Sequence, residues 1–146
     1  MHLLLLFAAS AACPVLNAAT AGGALGGAVQ TTVTRSDKST GFVCQFVRPG
    51  NELNIEVSAL SGPDQFAHFL ETACQGGRDV APLKAIGNEA VACSLGKSDQ
   101  IVEKAVGRVR NQGFVVRFST TGNAADGKAV RGKTTALAEQ VAGSLF

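Results

Sequence analysis

Residues 127–134 read Gly127-Lys128-Ala129-Val130-Arg131-Gly132-Lys133-Thr134, which matches G-x-x-x-x-G-K-[ST]. In that loop backbone N–H groups cradle phosphates, the lysine reaches the terminal ones and the hydroxyl binds Mg²⁺. A working loop of this kind follows a strand and needs a later acidic residue for the metal, but twelve residues follow Thr134. Val130 and Thr134 also share one face at helical spacing. The string is therefore expected to be absorbed into a helix, with Lys133 projecting into solvent. Neither a nucleotide nor any other cofactor is expected.

Other chemistries are no better supplied. There are two histidines, His2 and His68, and four cysteines with no C-x-x-C pair, so a metal site would need widely scattered ligands. No G-x-S-x-G is present, and no cysteine stands near a histidine. His68 sits off the apolar stripe of its segment with no acid–base partner nearby in sequence. Glu52 and Glu56 lie on one alternating stretch that reads as a solvated strand face. Gly87-Asn88-Glu89 could bind something, but Gly and Asn are what a tight turn requires anyway.

Charge points elsewhere. Residues 1–100 carry 6 basic and 8 acidic side chains, whereas residues 101–146 carry 7 basic and 3 acidic. An anionic partner should therefore meet the C-terminal third. There Arg108, Arg110 and Arg117 fall on a pair of strand-like runs. With a Gln112-Gly113 turn, Arg117 would stand opposite Arg108 on the face that carries Arg110, away from Val109, Phe114, Val116 and Phe118. Like charges opposed across strands cost stability unless an anion compensates. These three arginines are the candidate surface for an anionic polymer, a lipid headgroup or an acidic envelope protein. The whole-chain charge of +2 is too small to imply nucleic acid, and with no Trp and no Tyr the aromatics that usually line sugar and peptide sites are missing.

The elements that must position these residues begin after an apolar leader. Leu3 to Phe7 followed by Ala8-Ala9-Ser10-Ala11-Ala12 reads as the hydrophobic and cleavage regions of a signal peptide over residues 1–12, too short to span a bilayer. No positive charge precedes it; a start upstream of Met1 or a weak signal accounts for that. The chain is thus expected to be exported, periplasmic or extracellular. Ser10-Ala11-Ala12-Cys13 has the small residues of a lipoprotein signal without its leucine, which leaves a lipid anchor on Cys13 as one alternative. The other is a pair of disulfides among Cys13, Cys44, Cys74 and Cys93, for which three connectivities exist. The sequential pairing Cys13–Cys44 and Cys74–Cys93 would tie one helix end to one strand in each case.

Residues 13–146 fit a single domain, large enough to bury roughly 68% of its unfolded surface. Pro14 to Gly27 has helical spacing and ends at a glycine pair. Val29–Thr34 and Phe42–Val47 read as a hairpin around Ser36-Asp37-Lys38-Ser39, and residues 53–59 alternate as a third strand. Asp64 offers an N-cap to a helix with Phe66, Phe69, Leu70 and Ala73 on one face. Short strands are expected at Leu83–Ile86 and Ala90–Leu95, then a hairpin from Ile101–Arg110 and Phe114–Thr120. A last amphipathic helix starts near Asp126, with Val130, Thr134, Leu137, Val141 and Leu145 on its apolar side. The expected fold is α+β, an antiparallel sheet of about five to six strands with three helices, ordered near α-βββ-α-βββ-α.

In this order the chain resembles small secreted or lipid-anchored bacterial envelope domains. The resemblance rests on Cys13-Pro14-Val15-Leu16, Ala24-Leu25-Gly26-Gly27, Cys44, Ala85-Ile86-Gly87-Asn88-Glu89-Ala90, Gly107 to Gln112 and Ala138 to Ala142. Such domains are similar in outline to the PsbP-like α+β fold, which implies a binding or adaptor role and hands over no catalytic residue; Asn88 stands where the pattern has an acidic residue. The expected function is a noncatalytic exported binding module, with an envelope enzyme of unrecognised type as the alternative.

Overall fold

The computed structural model describes residues 12–35, 41–122 and 126–146. Residues 1–11 of the leader and the turn Ser36–Ser39 lie outside the described residues. The elements in chain order are α1 (Ala18–Leu25), β1 (Gln30–Arg35), β2 (Phe42–Arg48), β3 (Asn51–Ala59), α2 (Gln65–Ala73), β4 (Arg78–Pro82), β5 (Glu89–Ser94), β6 (Gln100–Val109), β7 (Gln112–Thr121) and α3 (Gly127–Leu145).

All seven strands form one antiparallel sheet in the order β1-β2-β3-β7-β6-β5-β4. The fold is α+β with three helices, as the sequence implies, but the sheet has seven strands rather than five or six, and four rather than the three of the expected order follow α2. The first of these four is β4, which replaces the strand expected at Leu83–Ile86. The run Leu83–Ile86 is not a strand: Ala85 and Gly87 have φ of 60° there, and the segment turns while Ile86 still reaches the core.

Alternation divides the side chains of the sheet between two unequal layers. One face carries Phe42, Cys44, Phe46, Leu53, Ile55, Val57, Ala105, Val109, Phe114, Val116 and Phe118, and it packs against α1 and α3 in the main core. Among the described residues the opposite face is covered by α2, whose Phe66 and Phe69 pack with Leu60, Val106 and Val115.

Helix α1 begins later than its spacing suggests. Asn17 caps it by accepting the Thr20 N–H at 2.7 Å, and Gly26, at φ 94°, closes it with its N–H on Gly22. Such a φ is one that glycine adopts without the Cβ penalty. In α3 the buried residues Val130, Thr134, Leu137, Ala138, Val141 and Ala142 recur every three to four positions, and that stripe holds the helix along β6 and β7.

Two disulfides, Cys13–Cys44 and Cys74–Cys93, have Cα separations of 5.8 and 6.0 Å. The pairing is the sequential one. In the chain-entropy account the loops they close correspond to about 3.7 and 3.2 kcal/mol. The Cys13 sulfur is committed to Cys44, and a thioether to lipid would need that same atom. Two disulfides are consistent with an oxidising, exported environment. Among the described residues no helix is long and apolar enough to cross a membrane.

Candidate anion-binding cleft

The three arginines of the expected surface are not brought together. Val109 pairs with Gln112, so the β6–β7 turn is Arg110-Asn111 rather than Gln112-Gly113. Arg108 then stands opposite Gly113, and Arg117 opposite Lys104. Four rungs separate the two arginines along the sheet, roughly 13 Å. Arg110 leaves the strand with φ 54°. Gly113 carries the register error: it reads as a turn glycine, but its place is in β7, where the Phe69 ring would lie 3.0 Å from any Cβ.

Arg108 is engaged within the chain. It donates to the Arg110 carbonyl at 2.8 Å and to Glu89 at 3.2 Å, and its side chain is only 14% exposed. Gly87-Asn88-Glu89 serves the same hairpin, because Asn88 accepts the Arg110 N–H at 2.6 Å and donates its own N–H to the Arg108 carbonyl. That loop is a latch. Arg117 is half-buried beside Lys104, whose ammonium donates to the last carbonyl of α2, at Ala73, over 2.8 Å. A cation at a helix C-terminus complements its dipole. Desolvation lowers the Lys104 pKa, as does Arg117, while Glu56 raises it.

The carboxylates on this outer face are also apart. Glu52 accepts amide N–H groups from Gln45 and Asn54, both at 2.8 Å, and the Asn54 and Gln45 bonds, with Arg117 further off, hold its pKa below the ordinary carboxylate value. Glu56 lies four residues along the strand, roughly 13 Å away, beyond the reach of a paired-carboxylate mechanism. His68 is exposed on α2. No group of three or more His, Cys, Asp or Glu that could hold a metal occurs among the described residues.

Cationic groups do converge on the side covered by α1 and α3, at the end of the sheet where α3 begins. Ser94 of β5 and Glu103 of β6 are directly opposed, and the Ser94 hydroxyl donates to Glu103 at 2.6 Å. Arg131, one residue past the buried Val130 of α3, reaches over both. Its Nε donates to Glu103 at 3.1 Å and its Nη2 to Ser94 at 2.9 Å. Glu103 is 5% exposed and Ser94 8%. The hydroxyl is therefore held between a guanidinium and a carboxylate, an arrangement that fixes Arg131 rather than freeing a nucleophile.

These groups border a cleft of about 550 Å³. Arg78 of β4 stands on its other wall, tied to the Gly96 carbonyl at 2.6 Å. The β5–β6 loop supplies Lys97; it is closed by Gln100 N–H on the Lys97 carbonyl, and at Gly96 any Cβ would meet the Gln100 carbonyl at 2.0 Å. Lys128 comes from the first turn of α3. Four cations thus line one cleft against two carboxylates, Glu103 and Asp79, and Glu103 is already neutralised by Arg131. Arg78 and Arg131 each keep further N–H groups beyond those committed within the chain. Lys97 and Lys128 are exposed and form no ion pair among the described residues.

The phosphate-loop string takes part in a different way from its motif. It lies within α3 apart from any loop: Thr134 is 1% exposed with its hydroxyl on the Val130 carbonyl at 2.8 Å, and Lys133 is exposed with its ammonium 3.5 Å from the Ala24 carbonyl. Lys128 and Arg131, three residues apart on one helical side, are the members that face the cleft. No protein family, curated protein or solved structure matches the chain.

Proposed function

We propose that this chain is an exported, noncatalytic binding module whose ligand is an oxyanion-bearing partner seated in the cleft between α3, β4 and the β5–β6 loop. The observation that carries this reading is the convergence of Arg78, Lys97, Lys128 and Arg131 on one concavity. Two of the four are fixed in advance by bonds to Gly96, Glu103 and Ser94. Fixed guanidiniums lose little freedom on binding, and their planar N–H groups match the oxygens of phosphate, sulfate or carboxylate. The two lysines at the mouth add long-range, salt-sensitive attraction. Retaining a buried Glu103–Arg131 pair is costly in itself, and positioning a charge for a ligand is a reason to keep one. An adaptor role, which the PsbP-like outline implies, is compatible with this site. The Cys13–Cys44 bond favours a module released into the envelope or medium over one anchored through Cys13.

The test uses the oxidised protein with three probes: inorganic pyrophosphate, vesicles of phosphatidylglycerol in phosphatidylcholine, and a soluble polyanion such as polyphosphate. Saturable binding that weakens with salt and is lost in Lys97→Gln/Lys128→Gln supports the site. The probe bound most tightly identifies the source of the oxyanion. Failure of all three to bind, or binding that this variant leaves unchanged, overturns the proposal.

A further inference from the structure

The two edges of the sheet are built differently. At β4 the pairing with β5 shifts register between Arg78 and Ala81, Asp79 has φ 51°, and Pro82 has no N–H to offer. Irregularity, charge and proline are the means by which edge strands avoid pairing with other chains. At β1 all three are missing over most of the strand. Gln30-Thr31-Thr32-Val33-Thr34-Arg35 pairs with β2 in unbroken register, from Gln30↔Val47 to Arg35↔Phe42. It has no proline or glycine, and its four central residues are β-branched, the type that fits an extended strand best.

Its single charge does little to guard the edge. The Arg35 guanidinium lies 5.6 Å over the Phe42 ring, drawn back across its own β2 by cation–π attraction. On the outer face β1 and β2 together present Gln30, Thr32, Thr34, Val43, Gln45 and Val47, a strip with no charged side chain. Val43 and Val47 are 39% and 37% exposed, two of the four large apolar residues left open among the described residues. Depletion of charge marks the centre of protein interfaces. Half the N–H and C=O groups of β1 point away from β2, and no described strand pairs with them.

We infer that the β1 edge pairs antiparallel with the β1 edge of a second copy, joining two seven-stranded sheets into one. The register follows from alternation. Partners across an antiparallel pair point to the same face, so a two-fold axis normal to the sheet must pass through a residue and not between two. An axis at Val33 sets Val33 against its own copy beside the helix-covered core, Thr32 against Thr34 on the outer face, and Thr31 against Arg35. Thr–Thr pairs are favourable across strands, and the two Arg35 side chains end up at opposite ends of the pairing, roughly 13 Å apart. A closed two-fold arrangement also occupies the open edge from Thr31 to Arg35, so no fibre follows. Since β1 and β4 are opposite edges, the two anion clefts would lie at the far ends of the dimer, suited to bivalent attachment to a polyanion or surface.

Sedimentation velocity on the oxidised protein over a wide concentration range should show a monomer–dimer equilibrium. Hydrogen exchange at the same concentrations should show protection gained by β1 amides alone. Thr32→Lys/Thr34→Lys places like charges opposite one another across the axis, at two exposed positions where the monomer tolerates them. It should lose the dimer and the β1 protection while keeping the melting temperature that the wild type shows when dilute and monomeric. A wild type monomeric at every concentration, a dimer that survives the two lysines, or protection gained elsewhere would overturn the inference. Anion binding by a monomeric wild type would leave the cleft standing without the dimer.

Discussion

Replacing Arg131 with methionine isolates the buried pair that shapes the cleft. Methionine keeps most of the apolar stem but leaves Glu103, 5% exposed, with the Ser94 hydroxyl as its remaining partner. Removing one member of a buried pair costs about 3–5 kcal/mol. The Arg131 side chain is 25% exposed and Ser94 stays, so the lower end applies, about 3 kcal/mol. For a domain of this size each kcal/mol shifts the melting temperature by roughly 3–5 °C, giving a drop of about 10 °C. Urea titration and thermal melts followed by circular dichroism would read both figures. Adding Glu103→Gln removes the orphaned charge, and an amide still bonds Ser94, so the double variant should recover at least about 1 kcal/mol over Arg131→Met alone. A loss below about 1 kcal/mol, or no recovery in the double variant, would show that an uncompensated carboxylate is not the cause.

Four further outcomes rest on local geometry. Lys133→Ala should leave the melting temperature within about 2 °C of wild type and any nucleotide signal unaltered, because Lys133 is exposed and only grazes the Ala24 carbonyl; loss of saturable nucleotide binding would contradict this. Gly107→Ala puts a Cβ 2.3 Å from the fully buried Phe114 ring and should destabilise by about 1–3 kcal/mol, whereas Gly143→Ala, with open space around it in α3, should stabilise by about 0.5–1 kcal/mol, both read by urea titration. Glu52 has a depressed carboxyl pKa, so the stability it contributes is present above the unfolded value and lost as pH falls through the lower folded one; Glu52→Gln should flatten that part of the acid limb, and an unchanged limb would count against it.

Legibility in the sequence followed the strength of local periodicity. Helix α2 is plain from Phe66, Phe69, Leu70 and Ala73, and α3 from its apolar stripe, because burial on one helical side leaves a repeating trace. Strand β4 leaves none: Arg78-Asp79-Val80-Ala81-Pro82 is an edge with little to bury, and its charges and proline read as loop. Leu83 and Ile86 mislead in the opposite sense, since a turn residue packed on the core looks like a strand residue. Gly113 shows how a glycine kept for the approach of Phe69 passes for a turn and shifts a whole register. The sequential disulfides were accessible once each cysteine had an element. The cleft was hidden because its cations come from β4, a loop and α3, elements whose meeting only topology decides. The one local hint was Lys128 and Arg131 three apart in the last helix, inside a string whose motif pointed to a different chemistry.

An oxyanion site at the start of α3 can be read by titrating pyrophosphate into ¹⁵N-labelled protein and following amide and arginine Nε–H signals by NMR. Saturable shifts are expected at Gly96, Lys97, Gly127, Lys128 and the Arg78 and Arg131 side chains alone, abolished in Lys97→Gln/Lys128→Gln. Shifts centred instead on Arg108, Arg110 or Arg117, or none at any concentration, would contradict the site.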